Sequence, residues 1–535
     1  MLKRVSAFIL ITTLAVPALW AEKPALVVFI SVDQLRGDLP LQFKDRFGPD
    51  GFRRFYDRGT AYTNAHYGHV TTYTGCGHAT LSTGGNPHEH GIIGNDWFDR
   101  VTGKVVYCVS DEQHQLLGVS TPGGASPKYL LTPTIGDALI EASGGKSRGF
   151  SVSGKDRSGV LMGGHQGKAF WYYAATGTFV TSNYYYEAYP AWVDTFNASV
   201  PGDRYAGKVW DLVRPEGEYV NPDTRDVELP NPVIGGVFPH SLAGLEAKKL
   251  YAMLSVTPFS DELVIDFAKT LIEQEELGQR GSTDLLTVGL SATDIIGHQF
   301  GPESREQEDN LLRLDSLLAN FFAFLDARLG KDKVLLVLSA DHGVDGNPGG
   351  KPSGQLDLSG MVDAAEAALK EKFGDQDKYI LGYKEPCLYF TPDLTARRAG
   401  ELAAMEDHAA HTLLNMKGVA YAVPAHKVAE GALDSENPMM GMIQRSYREG
   451  LSGDVFVIQD AYFRVFSGKS AFTATHGSPY SYDTYVPVLF SGPGIPAQTI
   501  DSAVGPESIA ATIAAILEIP APSGATGPVL SAVVH

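Results

Sequence analysis

Hydroxyls and small residues crowd one stretch of this chain, His69-Val-Thr-Thr-Tyr-Thr-Gly-Cys-Gly-His-Ala-Thr-Leu-Ser-Thr-Gly-Gly, which runs on to Gly94-Asn95-Asp96. Upstream, an apolar run ends in Asp33. Far downstream lie Asp294-x-x-x-His298, Asp341-His342 and Thr475-His476. A threonine hydroxyl is a weak nucleophile at neutral pH and needs a base or a metal to stabilise its alkoxide. Carboxylates and neutral imidazoles are common zinc ligands, with no need for thiolate. The expectation is that Thr74 is a nucleophile held against metal ions that the distant acids and histidines supply. Composition alone does not choose Thr74 over Thr71, Thr72, Thr80 or Ser82. The stretch also reads as a helix N-terminus whose hydroxyls cap it; both readings hold together, because a helix N-terminus favours an anion.

The elements that would position these groups are legible from hydropathy. Pro24 to Val32 is nearly all apolar, as a central parallel strand covered on both faces should be. The runs from Asp284 to Leu290 and from Val334 to Ser339 read the same way, and each leads into a short segment with an acid, Asp294 and Asp341. Open α/β sheets place ligand sites at the carboxyl ends of their strands. One such acid is ordinary, because Asp is a good turn and cap residue. Two of the three carry a histidine: Asp294 and His298 are four apart and share a helix face, and Asp341 and His342 are adjacent. His476 sits in a tight polar loop and also reads as a turn histidine. His78 and His90 read mainly as local hydrogen-bond partners.

Helices are expected over 48–58, after a cap at Thr132 with Pro133 in the first turn, over 261–277, over 303–329 and over 393–415. Short strands are expected at 149–153, around Cys387-Leu-Tyr-Phe and from Tyr485. The tyrosine- and tryptophan-rich segment 166–240 reads as an insertion or cap, and 350–455 as a second insertion. Alternating helices and apolar strands predict a doubly wound, mostly parallel α/β sheet flanked by helices, in one domain over 22–535.

Length and composition agree. The 535 residues are 44% apolar and 20% charged, enough for a large core. A formal charge of −19 argues against a nucleic-acid scaffold, which would want a basic face. Residues 1–21 read as a secretory signal: Lys3 and Arg4, an apolar run too short for a comfortable span, then Ala21. An uncleaved anchor or a buried first helix is the competing reading. No later stretch looks like a membrane helix. The three cysteines permit one disulfide, Cys76–Cys108 being the most local pair, or three free thiols.

Thr-Tyr-Thr74-Gly-Cys-Gly-His-Ala-Thr-Leu-Ser-Thr-Gly, followed by Asn-Pro-His-Glu-His-Gly-Ile-Ile-Gly-Asn95-Asp-Trp-Phe-Asp, resembles the nucleophile region of the alkaline phosphatase superfamily. It looks most like the secreted, single-chain phosphatases with a threonine nucleophile; the nucleotide pyrophosphatase/phosphodiesterases share much of it. Asp33, Asp294-x-x-x-His298, Asp341-His342-Gly and His476 occur in the order the superfamily requires. The resemblance spans 25–495 and is weakest over 166–240 and 350–455.

The resemblance implies two zinc ions, one held by Asp294, His298 and His476, the other by Asp33, Asp341, His342 and the Thr74 oxygen. It implies a covalent phospho-threonine, and phosphate contacts from Asn95, Lys155 and Arg157. The diesterase branch is not expected to have this Lys-x-Arg pair, which read alone would be a solvated loop. Cys76 lacks the Cys-x-Pro-x-Arg setting of sulfatases, and no motif matches the magnesium site of the serine-type phosphatases. The expected activity is zinc-dependent hydrolysis of a broad range of phosphate monoesters, by a monomer in the periplasm or secreted. The rivals are a phosphodiesterase on the same fold and a catalytically silent binding protein.

Overall fold

Strand β1 (Leu26–Val32) is buried along its whole length. The computed structural model describes residues 23–120, 123–223, 229–346, 348–468 and 472–534; the signal expected over 1–21 lies outside them. With β1, eight further strands form the main sheet: β2 (Thr60–His66), β3 (Gly149–Ser153), β4 (Lys168–Tyr173), β5 (Thr178–Val180), β6 (Asp284–Leu290), β7 (Val334–Ser339), β8 (Tyr485–Ser491) and β9 (Gln498–Ile500). Their order is β9-β2-β8-β7-β1-β6-β3-β4-β5. The block β7-β1-β6-β3-β4 is parallel throughout. Strand β8 joins β7 antiparallel, and β5 joins β4 antiparallel.

Side chains of β1 alternate between two cores, as the two-residue pleat demands. Val28, Ile30 and Val32 meet the helices Phe259–Gln274 and Arg305–Leu329. Val27 and Phe29 meet the helices Ile135–Ala142 and Ser508–Ile516. Each such side chain, fully buried, contributes about 1.5–3 kcal/mol. Helices therefore cover both faces, and the fold is the doubly wound sheet expected. Val32 pairs with Leu290, and Ser31 with Ser339. This register brings the ends of β1, β6 and β7, and the acids that follow them, to one edge.

The segment 350–455, with the strand that runs on from its end, builds a four-stranded antiparallel sheet, Ile380–Lys384, Cys387–Phe390, Val455–Gln459 and Val419–Pro424, with its own core of Met361, Leu369, Leu388, Met405 and Val457. The segment read as an insertion from 166 begins instead inside the main sheet, as β4 and β5. Its Phe170 and Trp171 are buried there, in keeping with the strand preference of aromatics.

Three helix boundaries also differ from expectation. The cap after Thr132 is Thr134, whose side chain and that of Asp137 satisfy each other's backbone N–H. The helix expected over 48–58 begins only at Phe52, where Asp315 accepts from the N–H groups of Gly48 and Phe52. The helix over 393–415 is broken into Pro392–Arg397 and Leu402–Leu414, at a turn containing Gly400, a weak helix former. Cys76, Cys108 and Cys387 are all free and buried.

Candidate active site

Helix α1 (Thr74–Thr83) starts at Thr74, and all ten of its residues are buried. Gly77 is what lets it pack on the end of β7. A Cβ there would lie 2.0 Å from the Asp341 carbonyl oxygen. Helix α2 (Asp156–Gly163) follows β3 and Lys155. Helix α3 (Ala292–Phe300) follows β6 and presents Asp294 and His298 on one face.

The acids and histidines gather into two groups, Asp294–His298–His476 and Asp33–Asp341–His342, each with candidate ligand atoms within 4.8 Å of one another. In the first, Asp294 Oδ1 lies 3.2 Å from His298 Nε2 and 3.7 Å from His476 Nε2. In the second, His342 Nε2 lies 3.5 Å from both Asp33 Oδ1 and Asp341 Oδ2. The other ring nitrogen of each histidine faces a backbone carbonyl: His298 Nδ1 that of Ala474 at 2.8 Å, His476 Nδ1 that of Thr72 at 2.8 Å, His342 Nδ1 that of Gly343 at 2.9 Å. A carbonyl only accepts, so Nδ1 carries the proton and a neutral ring turns the Nε2 lone pair toward the carboxylates. Lone pairs set against carboxylate oxygens suit a cation between them, and an outer carbonyl holding each ring is the usual support of a metal-ligating histidine. Asp33 Oδ1 is buried without a hydrogen-bond partner. The donor set therefore fits metal ions.

The electrostatics follow from burial and crowding. Burial, with Asp294 and Asp341 close by, pushes the Asp33 carboxyl well above its usual range. Burial also acts to raise Asp294, but Lys155 and His298 outweigh it and hold that acid well below. Burial, then neighbouring His342 and His298, drives His476 well below the ordinary imidazole range. Lys155 bridges the two groups, its Nζ 2.7 Å from Asp33 Oδ2 and 2.5 Å from Asp294 Oδ2.

Thr74 lies beside the second group. His342 Nε2 is 3.4 Å from its Oγ1, and Arg157 Nη2 donates to it at 3.3 Å. Asn95 Oδ1 accepts from the Gly75 N–H at 2.8 Å, which ties it to the first turn of α1. The structure thus brings every candidate residue to one edge of the sheet. His78 Nδ1 lies 2.8 Å from the Thr74 carbonyl and 3.1 Å from Asp341 Oδ2, a reach beyond its local hydrogen bond. His90 is the local partner expected, bonding Thr80 and the Ile92 N–H. Burial pushes the Cys76 thiol up to about 12, which keeps it protonated and unreactive.

Two contributors were not legible beforehand. Gln34 adopts a left-handed backbone, φ 66. From there its N–H donates to Asp341 Oδ1 at 3.1 Å and its Nε2 to Asp294 Oδ1 at 2.7 Å. A non-glycine residue held so is strained, and such strain concentrates at functional sites. Its one signal was a polar residue next to Asp33. Tyr107 contacts Arg157 Nη1 at 3.4 Å and donates to Asp156 Oδ1 at 2.6 Å; nothing in its neighbourhood of the sequence marked it.

A mostly parallel sheet with helices on both faces, carrying two acid–histidine groups and a buried threonine at its carboxyl edge, defines an α/β enzyme of the metal-assisted class. The chain belongs to the type I phosphodiesterase/nucleotide pyrophosphatase family, whose model matches residues 27–479. It is 35% identical to alkaline phosphatase PhoV of Synechococcus elongatus, over 95% of this chain and 92% of that one. It is also 35% identical to alkaline phosphatase PafA of Elizabethkingia meningoseptica, over 96% and 95%. The crystal structure of wild-type PafA superimposes with a TM-score of 0.89 at 34% identity, covering 96% of this chain and 99% of that one. A PafA variant changed at one threonine, one asparagine, one lysine and one arginine gives 0.88 at 33%, with the same coverage. A protein of Myroides odoratus named calcium-transporting ATPase is 36% identical over 95% and 94%. Among the described residues of the present chain, no helix is long and apolar enough to cross a membrane.

Proposed function

We propose that this chain is an alkaline phosphatase, a phosphate monoester hydrolase that works through a covalent phospho-threonine on Thr74. Its relatives named alkaline phosphatases, similar over nearly the full length, support the activity. The observation that carries the monoester reading is a pair of cationic side chains at the site, Arg157 donating to the Thr74 hydroxyl and Lys155 on the neighbouring Asp33 and Asp294. A monoester presents a dianionic group, which gains from charged donors more than a diester does. The four residue types changed in the PafA variant are those found here, in the same order, at Thr74, Asn95, Lys155 and Arg157.

Asp294, His298 and His476 would hold one zinc ion, and Asp33, Asp341 and His342, with the Thr74 oxygen, the other. Bound there, zinc would supply Lewis acidity that favours the alkoxide and offsets charge on the reacting oxygens. The Thr74 hydroxyl gives up its proton to solvent, Oγ1 forms a bond to phosphorus as the ester P–O bond breaks, and the departing alcohol oxygen takes a proton back from solvent. Arg157 grips phosphoryl oxygens, and Lys155 joins it once its two carboxylates are otherwise neutralised. The N-terminus of α1, kept in place by Asn95 on Gly75, favours the negative charge. Water then hydrolyses the phospho-threonine and restores the hydroxyl. The enzyme acts as a monomer, periplasmic or secreted, on a broad range of monoesters.

Replacing Lys155 and Arg157 together by alanine tests the reading. The expected result is a fall in kcat/KM for monoesters of at least about a hundredfold and a much smaller fall for diesters. Equal losses on both would assign the pair a structural role.

A further inference from the structure

A groove of about 430 Å³ opens beside the first acid–histidine group, with Leu229, Pro302, Tyr462, Arg464, Phe466 and Phe472 among its walls. A smaller one of about 230 Å³ reaches Tyr73 and His476 and shares Arg464 and Phe472 with it. Phe472 is 51% exposed. Its ring centroid stands 4.9 Å from that of His298, inclined at 44°. The backbone fixes this relation: Thr473 N–H donates to the His298 carbonyl at 2.8 Å, and His298 Nδ1 donates to Ala474 O at 2.8 Å. Asp345 steadies the same loop, accepting from the Thr475 N–H at 2.7 Å and from Arg464 Nε at 2.6 Å. An exposed aromatic ring is thus held at the lip of the site by the loop that also carries His476.

The site opens toward this loop. The His298 and His476 side chains are 17% and 7% exposed, against 5% or less for Asp33, Asp294, Asp341 and His342. A third groove, of about 490 Å³, includes Lys155, Arg157 and Tyr173 in its lining. In the reading above, Lys155 and Arg157 hold the non-reacting phosphoryl oxygens. The ester oxygen and its organic group then leave past His298 and His476.

We propose that the groove rimmed by Phe472 receives the alcohol half of the monoester, and that Phe472 stacks a planar aromatic group there. Phe472 is then a specificity residue, selecting aromatic over small aliphatic esters; the proposal rests on the monoesterase reading. Offset stacking on a fixed ring accounts for a preference of about five- to tenfold.

The test compares benzyl phosphate with ethyl phosphate, esters of two alkanols of similar acidity, on the zinc-loaded full chain. The benzyl-to-ethyl ratio of kcat/KM should fall about five- to tenfold in Phe472→Ala and Phe472→Leu, and be retained in Phe472→Tyr. Tyr173→Ala should leave it unchanged. Calorimetric binding of benzylphosphonate against ethylphosphonate should give the same pattern without turnover. An unchanged ratio in both ring-less variants, or a fall on Tyr173→Ala instead, would overturn the proposal alone. Wild-type protein that hydrolyses neither ester would overturn the monoesterase reading, while the calorimetry would still score the ring preference.

Discussion

Thr74 has its hydroxyl between a histidine and an arginine and its N–H at the start of a buried helix. Neither neighbour is a strong base. Burial holds His342 below its ordinary range, and a guanidinium does not accept a proton. In the proposed reaction, attack by Thr74 therefore depends on the cations proposed for the adjacent groups. Thr74→Ala should abolish labelling of the protein by labelled phosphate ester, while zinc content measured on the same sample stays near that of the wild type. Label trapped on the variant would assign the nucleophile to another hydroxyl of the stretch, such as Thr71 or Thr72.

The parallel strands are what make the site, because four adjacent ones, β7, β1, β6 and β3, deliver Asp341, Asp33, Asp294 and Lys155 to one edge. Helix α1 completes it by lying against the Asp341 backbone at Gly77. Alanine in a helix is ordinarily better than glycine by about 1 kcal/mol. Here the sign should reverse: Gly77→Ala should cost about 1–3 kcal/mol in denaturant unfolding, through overpacking, and should lower activity by shifting Thr74. A variant as stable and active as the wild type would mean that α1 does not need this approach. The three acids were legible because each follows a mostly apolar strand, a pattern set by burial on both faces. The ion pairs of Lys155 were not, since they depend on β3 lying next to β6, and β6 next to β1, which no local pattern encodes. Gln34 escaped for a related reason: its left-handed turn comes with hydrogen bonds to Asp341 and Asp294, partners 307 and 260 residues away. The cap at Thr134 is legible in the Thr-x-x-Asp spacing, but Pro133, a residue favoured in the first turn, makes Thr132 resemble a cap as well.

Across the whole molecule, buried acids converge on a chain that already carries a formal charge of −19. Folding them together is unfavourable unless cations neutralise them. Zinc binding should therefore stabilise the fold as well as the reaction. At free zinc about a thousandfold above Kd, one site contributes roughly 4 kcal/mol. Chelator-treated protein should melt at a clearly lower temperature than the zinc-loaded form at matched scan rate, and recover on adding zinc back. Equal melting temperatures would show that no ion is bound between these acids. The fold alone does not separate monoesters from diesters: the matching family model is described as a phosphodiesterase and nucleotide pyrophosphatase, while the relatives similar over nearly the whole chain are named alkaline phosphatases; in the proposed reading Lys155 and Arg157 make the distinction. The most direct test is therefore a substrate panel on zinc-loaded wild-type protein, with monoesters beside matched diesters and sulfate esters. The account predicts kcat/KM for monoesters above that for diesters and sulfate esters; turnover dominated by diesters would contradict it.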